Sequence, residues 1–252
     1  MPPPSDTARS TPARPGTHPV ALLRAVAEGG SDRLTRFDHG GCIYWIKRRE
    51  ALPLRMRLQK GDTGRALRRE IAALRDLSGQ GLPVPELVAA GEGYLVVPDC
   101  GPSLNLLLRD PGRDPARTRR AMAAAGTALA ALHGAGIAHG RPSIRDFCWQ
   151  DGRITLIDWE RYRPPPASPH RLRRDAVVFV FNIYALTRGD TPEAMAAIES
   201  YRAAAPPGLW DEAARLCRRL RWLDPLTRPL QRRDAGKGEF RAIPLTLARF
   251  SR

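Results

Sequence analysis

The chain has 252 residues, 42% of them hydrophobic, enough to bury a core as one large domain or as two small lobes. Lysine and arginine number 41 against 26 acids, a formal charge of +15; this suits an anionic partner (nucleic acid, an acidic membrane surface or a phosphorylated small molecule), or reflects only arginine-rich coding and solvated helix faces. No apolar run approaches the roughly 18 residues of a membrane span, and four cysteines and five histidines scattered without a C-x-x-C pair argue against a zinc framework.

In chain order, "MPPPSDTARSTPARPGTHP" (1–19) lacks an apolar leader core and reads as a disordered Pro/Arg-rich tail. Order begins at "VALLRAV". Residues 42–47, "CIYWIK", follow a Gly40-Gly41 turn signal and are rich in strand formers. "GDTGRALRREIAALRDLSGQG" predicts a helix with Asp62 or Thr63 near its cap and Gly79 past its end. "VPELVAAGEGYLVVPDC" predicts two short strands about Gly91-Glu92-Gly93, stopped by Pro98. Beyond it the composition turns helical: an alanine-rich helix over 117–133, then a hairpin, then "RDAVVFVFNIYALTR", "PEAMAAIESYRAA" and "DEAARLCRRLRWL". The fold class expected is α+β, with a β-rich lobe over 20–98 and a mostly helical lobe over 99–252. Unpaired cysteines suit a reducing cytoplasm.

Two charge placements stand out. In the 63–77 helix, Leu67, Ile71, Leu74 and Leu77 share one face, and Glu70 falls inside that stripe. A carboxylate there either snorkels to the rim or meets a cation, and Lys47 is the natural partner; lysine occurs elsewhere only at Lys60 and Lys237. In "HGRPSIRDFCWQDGRITLIDWE" (139–160), Asp151-Gly152 predicts a two-residue hairpin turn. Pairing outward sets Gln150 against Arg153, Cys148 against Thr155 and Asp146 against Ile157, so Asp146 and Asp158 fall at the hairpin's open end. Either they end the strands as turn residues, or they hold a hard divalent cation, Mg²⁺ above all.

A strand lysine (Lys47), a helix glutamate (Glu70), a hinge after two strands ("YLVVPDC"), and "HG…" followed by a hairpin and "LIDWE" come in the order of the protein-kinase-like superfamily. Over residues 30–190 the chain resembles its small bacterial lipopolysaccharide core and Kdo kinases and the aminoglycoside and choline kinase group. That resemblance implies a two-lobed kinase-like fold, ATP and Mg²⁺. Lys47 would hold the ATP phosphates and Glu70 orient it. Gly40 and Gly41 would be what remains of a Gly-rich loop, and Val97 and Asp99 the adenine-facing hinge. Asp146 and Asp158 would bind metal, and Asp175, opening its helix, would brace the catalytic loop or serve as a plain N-cap. The departure is Arg141, which stands where these kinases carry the base; a guanidinium is never deprotonated at working pH and can only stabilise phosphate charge or hold an anionic substrate. Asp146 or Glu160 would then partly replace that base.

Three functions follow: a phosphotransferase acting on a sugar, lipid-linked sugar or other anionic hydroxyl acceptor, cytoplasmic and in contact with the inner membrane at most peripherally; a pseudokinase that binds without turnover; and a nucleic-acid binder. The last lacks any recognition-helix, RNP-like or zinc-finger motif, so no specific nucleic-acid partner is expected. "RLCRRLRWLDPLTRPLQRR" is a basic amphipathic segment whose Leu216, Leu220 and Leu223 pack on the helical lobe or face anionic lipid.

Overall fold

The computed structural model describes residues 18–49, 63–233 and 238–251. Residues 1–17 of the expected 1–19 tail, the cap residue Asp62, Lys60 and Lys237 lie outside the described residues; His18 and Pro19 are ordered, Pro19 as the N-cap of the first helix and His18 Nδ1 3.1 Å from the Tyr44 hydroxyl. The chain divides into two compact units, Met1–Ser78 with Pro85–Asp99, and Gly79–Val84 with Cys100–Arg252.

The first unit holds helix α1 (Val20–Gly29), strands β1 (Leu34–His39) and β2 (Cys42–Arg48), helix α2 (Thr63–Leu77), and strands β3 (Ala89–Ala90) and β4 (Tyr94–Pro98). The four strands form an antiparallel sheet in the order β1-β2-β4-β3. Gly40 and Gly41 join β1 to β2, both at positive φ as a type I′ turn demands. In β2 the pleat sends Tyr44 and Ile46 into a core with Leu23 and Ala27 of α1, Ala89, Tyr94 and Val96. Arg48, on the same face, is buried too: Nε and Nη2 donate to the Ala27 and Val26 carbonyls at the end of α1, both 2.7 Å away, and Nη1 donates to Asp32 O and Thr35 Oγ1. One guanidinium thus satisfies carbonyls a helix end leaves unpaired. β1 carries no sequence signal, because an edge strand with mostly exposed side chains has no apolar alternation to display.

The second unit holds α3 (Leu104–Arg109), α4 (Pro115–Gly134), a 3₁₀ turn (Ile144–Asp146), β5 (Phe147–Gln150), β6 (Arg153–Leu156), α5 (Pro169–Thr187), α6 (Pro192–Ala204), α7 (Leu209–Arg219), α8 (Leu223–Arg233) and α9 (Glu239–Arg249). The fold class is α+β. Alanine richness has a packing reason here: Ala121, Ala125 and Ala130 of α4 and Ala194 and Ala197 of α6 are fully buried where the two helices press together. Gly126 marks the closest approach; a Cβ there would run into the Ala197 carbonyl oxygen and stand 2.7 Å from the Tyr201 nitrogen. Helix propensity alone would make Gly126→Ala stabilising by about 1 kcal/mol, but overpacking a helix–helix contact wins. We expect a net loss of about 1–3 kcal/mol, read by chemical denaturation.

The C-terminal basic segment is two helices, not one, broken at 220–222. Leu216, Leu220 and Leu223 are half-buried, whereas no described side chain of α8 is fully buried. Pro229 lies inside α8 and costs such a helix about 3 kcal/mol of intrinsic stability.

Candidate active site

Each unit carries one constellation. In the first, Lys47 lies on the sheet face opposite Tyr44 and Ile46, between Leu34 of β1 and Leu95 of β4. α2 buries Leu67, Ile71, Leu74 and Leu77 with Glu70 among them. The Lys47 ammonium donates to Glu70 Oε2 at 2.6 Å, with the carboxylate 7% exposed. A charge-assisted bond of that length, on a central strand, pre-orients a single ammonium at low entropic cost. At the end of β4, the Trp45 indole N–H donates to Asp99 Oδ1 at 2.7 Å and the Asp99 backbone N–H donates to the Ile43 carbonyl at 2.8 Å. Asp99 is therefore tethered to β2, and its own N–H is spent within the sheet. Val97 pairs with Trp45. Gly40 and Gly41 have open space around them, so glycine is needed there for backbone conformation and not for packing.

In the second unit the hairpin forms in the expected register, Gln150 to Arg153 and Cys148 to Thr155, with Asp151 and Gly152 both at positive φ. The Ile157 N–H donates to the Asp146 carbonyl at 2.8 Å, which continues the pairing to the open end. Asp146 is buried; its Oδ2 accepts from the Ser143 backbone N–H at 3.3 Å and closes a capping box on the 3₁₀ turn. Asp158 sits in the left-handed region at φ +67, a conformation aspartate tolerates better than most residues. A Glu160 carboxylate oxygen lies within 4.8 Å of one of Asp158, a hard-oxygen pair that fits Mg²⁺. Arg141 Nη2 donates to Asp158 Oδ2 at 3.2 Å, so a guanidinium already stands as a cation against this carboxylate.

The loop bearing Arg141 is braced from behind. The Gly140 N–H is shared between the two oxygens of Asp175, at 2.9 and 3.1 Å. Gly140 lies at φ +97, and a Cβ there would stand 2.7 Å from the Arg161 side chain. Asp175 is 1% exposed and lies in the middle of α5, which begins at Pro169; it is neither an N-cap nor a helix opener. Ser168-Pro169 was the available start signal, since proline favours a first helical turn. His133 lies 3.8 Å from Asp175 and bonds Tyr201 through Nδ1 at 2.8 Å. The His139 Nε2 sits 2.9 Å from the Ile157 carbonyl, tying the loop to the residue before Asp158. Burial pushes the His139 pKa below its ordinary 6.5, partly opposed by the Ile157 carbonyl and by Asp175 and Asp158. The unfolded chain therefore takes up a proton that the folded one refuses, so stability falls as pH drops through about 6.5 toward the lower folded value. His139→Asn should flatten that part of the pH–stability curve, measured by denaturation at a series of pH values.

Residues 43–149, from β2 to β5, match the model of the phosphotransferase enzyme family (APH); the matched segment contains Lys47, Glu70, Val97, Asp99, Arg141 and Asp146 and ends before Asp158. An uncharacterised protein of Haemophilus influenzae is 29% identical over 139 residues, which are 55% of this chain and 57% of that protein. The chain thus spans little more than half the length of that curated relative. Two solved structures of the bifunctional kinase-methyltransferase WbdD are similar at 17% and 16% identity, with TM-scores of 0.44 and 0.45, covering 69% and 70% of this chain and 43% and 44% of those chains. No described helix is long and apolar enough to cross a membrane.

Proposed function

We propose that the protein is an ATP- and Mg²⁺-dependent phosphotransferase that acts on a hydroxyl of an anionic small molecule or lipid-linked sugar. The observation carrying this reading is the 2.6 Å Lys47–Glu70 pair, lying inside the segment that matches the phosphotransferase family. A half-buried ammonium pre-oriented by a buried carboxylate is costly to build, and phosphate binding gives it a use. Lys47 would neutralise the nucleotide phosphates. Asp158, with either Asp146 or Glu160, would hold Mg²⁺, which when bound neutralises charge on the transferring phosphoryl group. Gly40 and Gly41 would let backbone approach the phosphates, and Val97 with the Asp99 carbonyl would meet the base. Arg141 would hold an acceptor phosphate or the transferring charge, while Asp146 or Glu160 takes the acceptor proton. Phosphoryl transfer rests on positioning and electrostatics, so a weak base costs only about 10²–10⁴-fold.

The Arg141–Asp158 contact favours a second reading, a pseudokinase in which the guanidinium occupies the metal carboxylate. The deciding experiment measures ADP release with Mg²⁺-ATP and a panel of phosphorylated sugars, for the wild type and Arg141→Ala. Acceptor-dependent turnover that Arg141→Ala weakens supports the phosphotransferase. Turnover absent from both proteins, with nucleotide still bound, supports the pseudokinase.

A further inference from the structure

We infer that α8 is a docking surface for an anionic phospholipid membrane. This helix is turned inside out relative to an ordinary surface helix. Asp224, Thr227 and Gln231 are half-buried: Gln231 Nε2 donates to Asp224 Oδ1 at 3.1 Å and to Thr227 Oγ1 at 2.9 Å, and Thr227 Oγ1 donates to the Leu223 carbonyl. Leu223 is half-buried, but Leu226 and Leu230 point to water. Trp222, immediately before α8, and Leu226 and Leu230 within it are 57, 64 and 45% exposed at a spacing of four, which lines Leu226 and Leu230 along one face with Trp222 at its start. Together with the interior Pro229 and the lack of any fully buried side chain among its described residues, this leaves a helix whose own packing explains little of its existence.

Charge identifies the occupant. Residues 215–233 contain seven arginines and one acid, Asp224, and Arg215, Arg218, Arg219, Arg221, Arg228 and Arg232 are exposed. Arg228 reaches Asp224 at 3.7 Å and Arg221 reaches Ser251 at 3.2 Å, both loose surface contacts that a stronger anion would displace. A tryptophan and two leucines flanked by arginines match a headgroup–acyl boundary with negative lipid, the arginine stems lying along the interface while their charges reach phosphate. A second copy of the chain would set seven arginines against seven. Nucleic acid offers an apolar stripe nothing to bury against. The inference does not depend on turnover of ATP.

The test is co-sedimentation of the full chain with phosphatidylcholine vesicles and with mixed phosphatidylcholine–phosphatidylglycerol vesicles. Binding to the mixed vesicles should exceed that to neutral ones, and Leu226→Gln/Leu230→Gln should weaken it by about tenfold or more. Equal binding by the double variant would overturn the inference and assign the attraction to the overall +15 charge. A lipid-free dimer that the double variant abolishes would overturn it as well, making the stripe a self-contact. Should that variant fail to fold, quenching of Trp222 by lipids brominated in their acyl chains decides, read as the difference between wild type and Trp222→Phe; no difference contradicts the docking surface.

Discussion

Asp158→Asn should lower acceptor-dependent phosphoryl transfer by about a thousandfold or more while leaving the fold intact. Asparagine tolerates the left-handed conformation that Asp158 adopts at φ +67, so the backbone is not the casualty. What changes is charge: a neutral amide is a poor ligand for Mg²⁺ and gives the Arg141 guanidinium 3.2 Å away no counter-ion. Steady-state kinetics across a Mg²⁺ titration, with the melting temperature as control, reads both. A loss confined to turnover at unchanged melting temperature is the expected result. A fully active Asp158→Asn enzyme would remove this carboxylate from the chemistry.

The second large effect concerns Lys47 and separates architecture from function. Lys47→Met leaves the buried Glu70 carboxylate without its 2.6 Å partner and should cost about 2–4 kcal/mol of stability. Lys47→Met/Glu70→Leu replaces the pair by apolar groups of similar size and should recover most of that loss, because the buried carboxylate is removed together with its ammonium. Activity should recover in neither variant, as no ammonium remains for the phosphates. The double-mutant cycle is read by chemical denaturation alongside ATP turnover. Stability and activity recovering together would reduce the pair to a structural ion pair.

Both constellations were legible before the fold because each rests on a local rule with long reach. Glu70 falls inside a helical apolar stripe, where a charge demands a partner, and Lys47 at the end of a predicted strand supplies it. Asp151-Gly152 sets the hairpin register, and a period of two carries that register out to Asp146 and Ile157. What escaped notice lacked such a rule. β1 is an exposed edge whose order comes from hydrogen bonds to β2 and from Arg48, which ties the end of α1 to the sheet. The apolar run begins after Asp175 and so places it at a helix start; the helix in fact starts at Pro169, and the carboxylate reaches Gly140 from within α5. The Arg141–Asp158 contact joins two loop positions whose side-chain directions no periodicity predicts. Around α8 the sequence shows Leu216, Leu220 and Leu223 as one face, and these are half-buried; the exposed stripe of Trp222, Leu226 and Leu230 escapes that reading, since amphipathicity marks a face without saying whether protein or solvent meets it.

The central claim, that Lys47 and Asp158 serve a nucleotide and its metal, is tested most directly by thermal shift of the wild type, Lys47→Met and Asp158→Asn with ATP, with and without Mg²⁺. Stabilisation of the wild type that requires Mg²⁺, and is lost in both variants, is the predicted result. A wild-type melting temperature indifferent to Mg²⁺-ATP at millimolar concentration, or an equal shift in all three proteins, would contradict it.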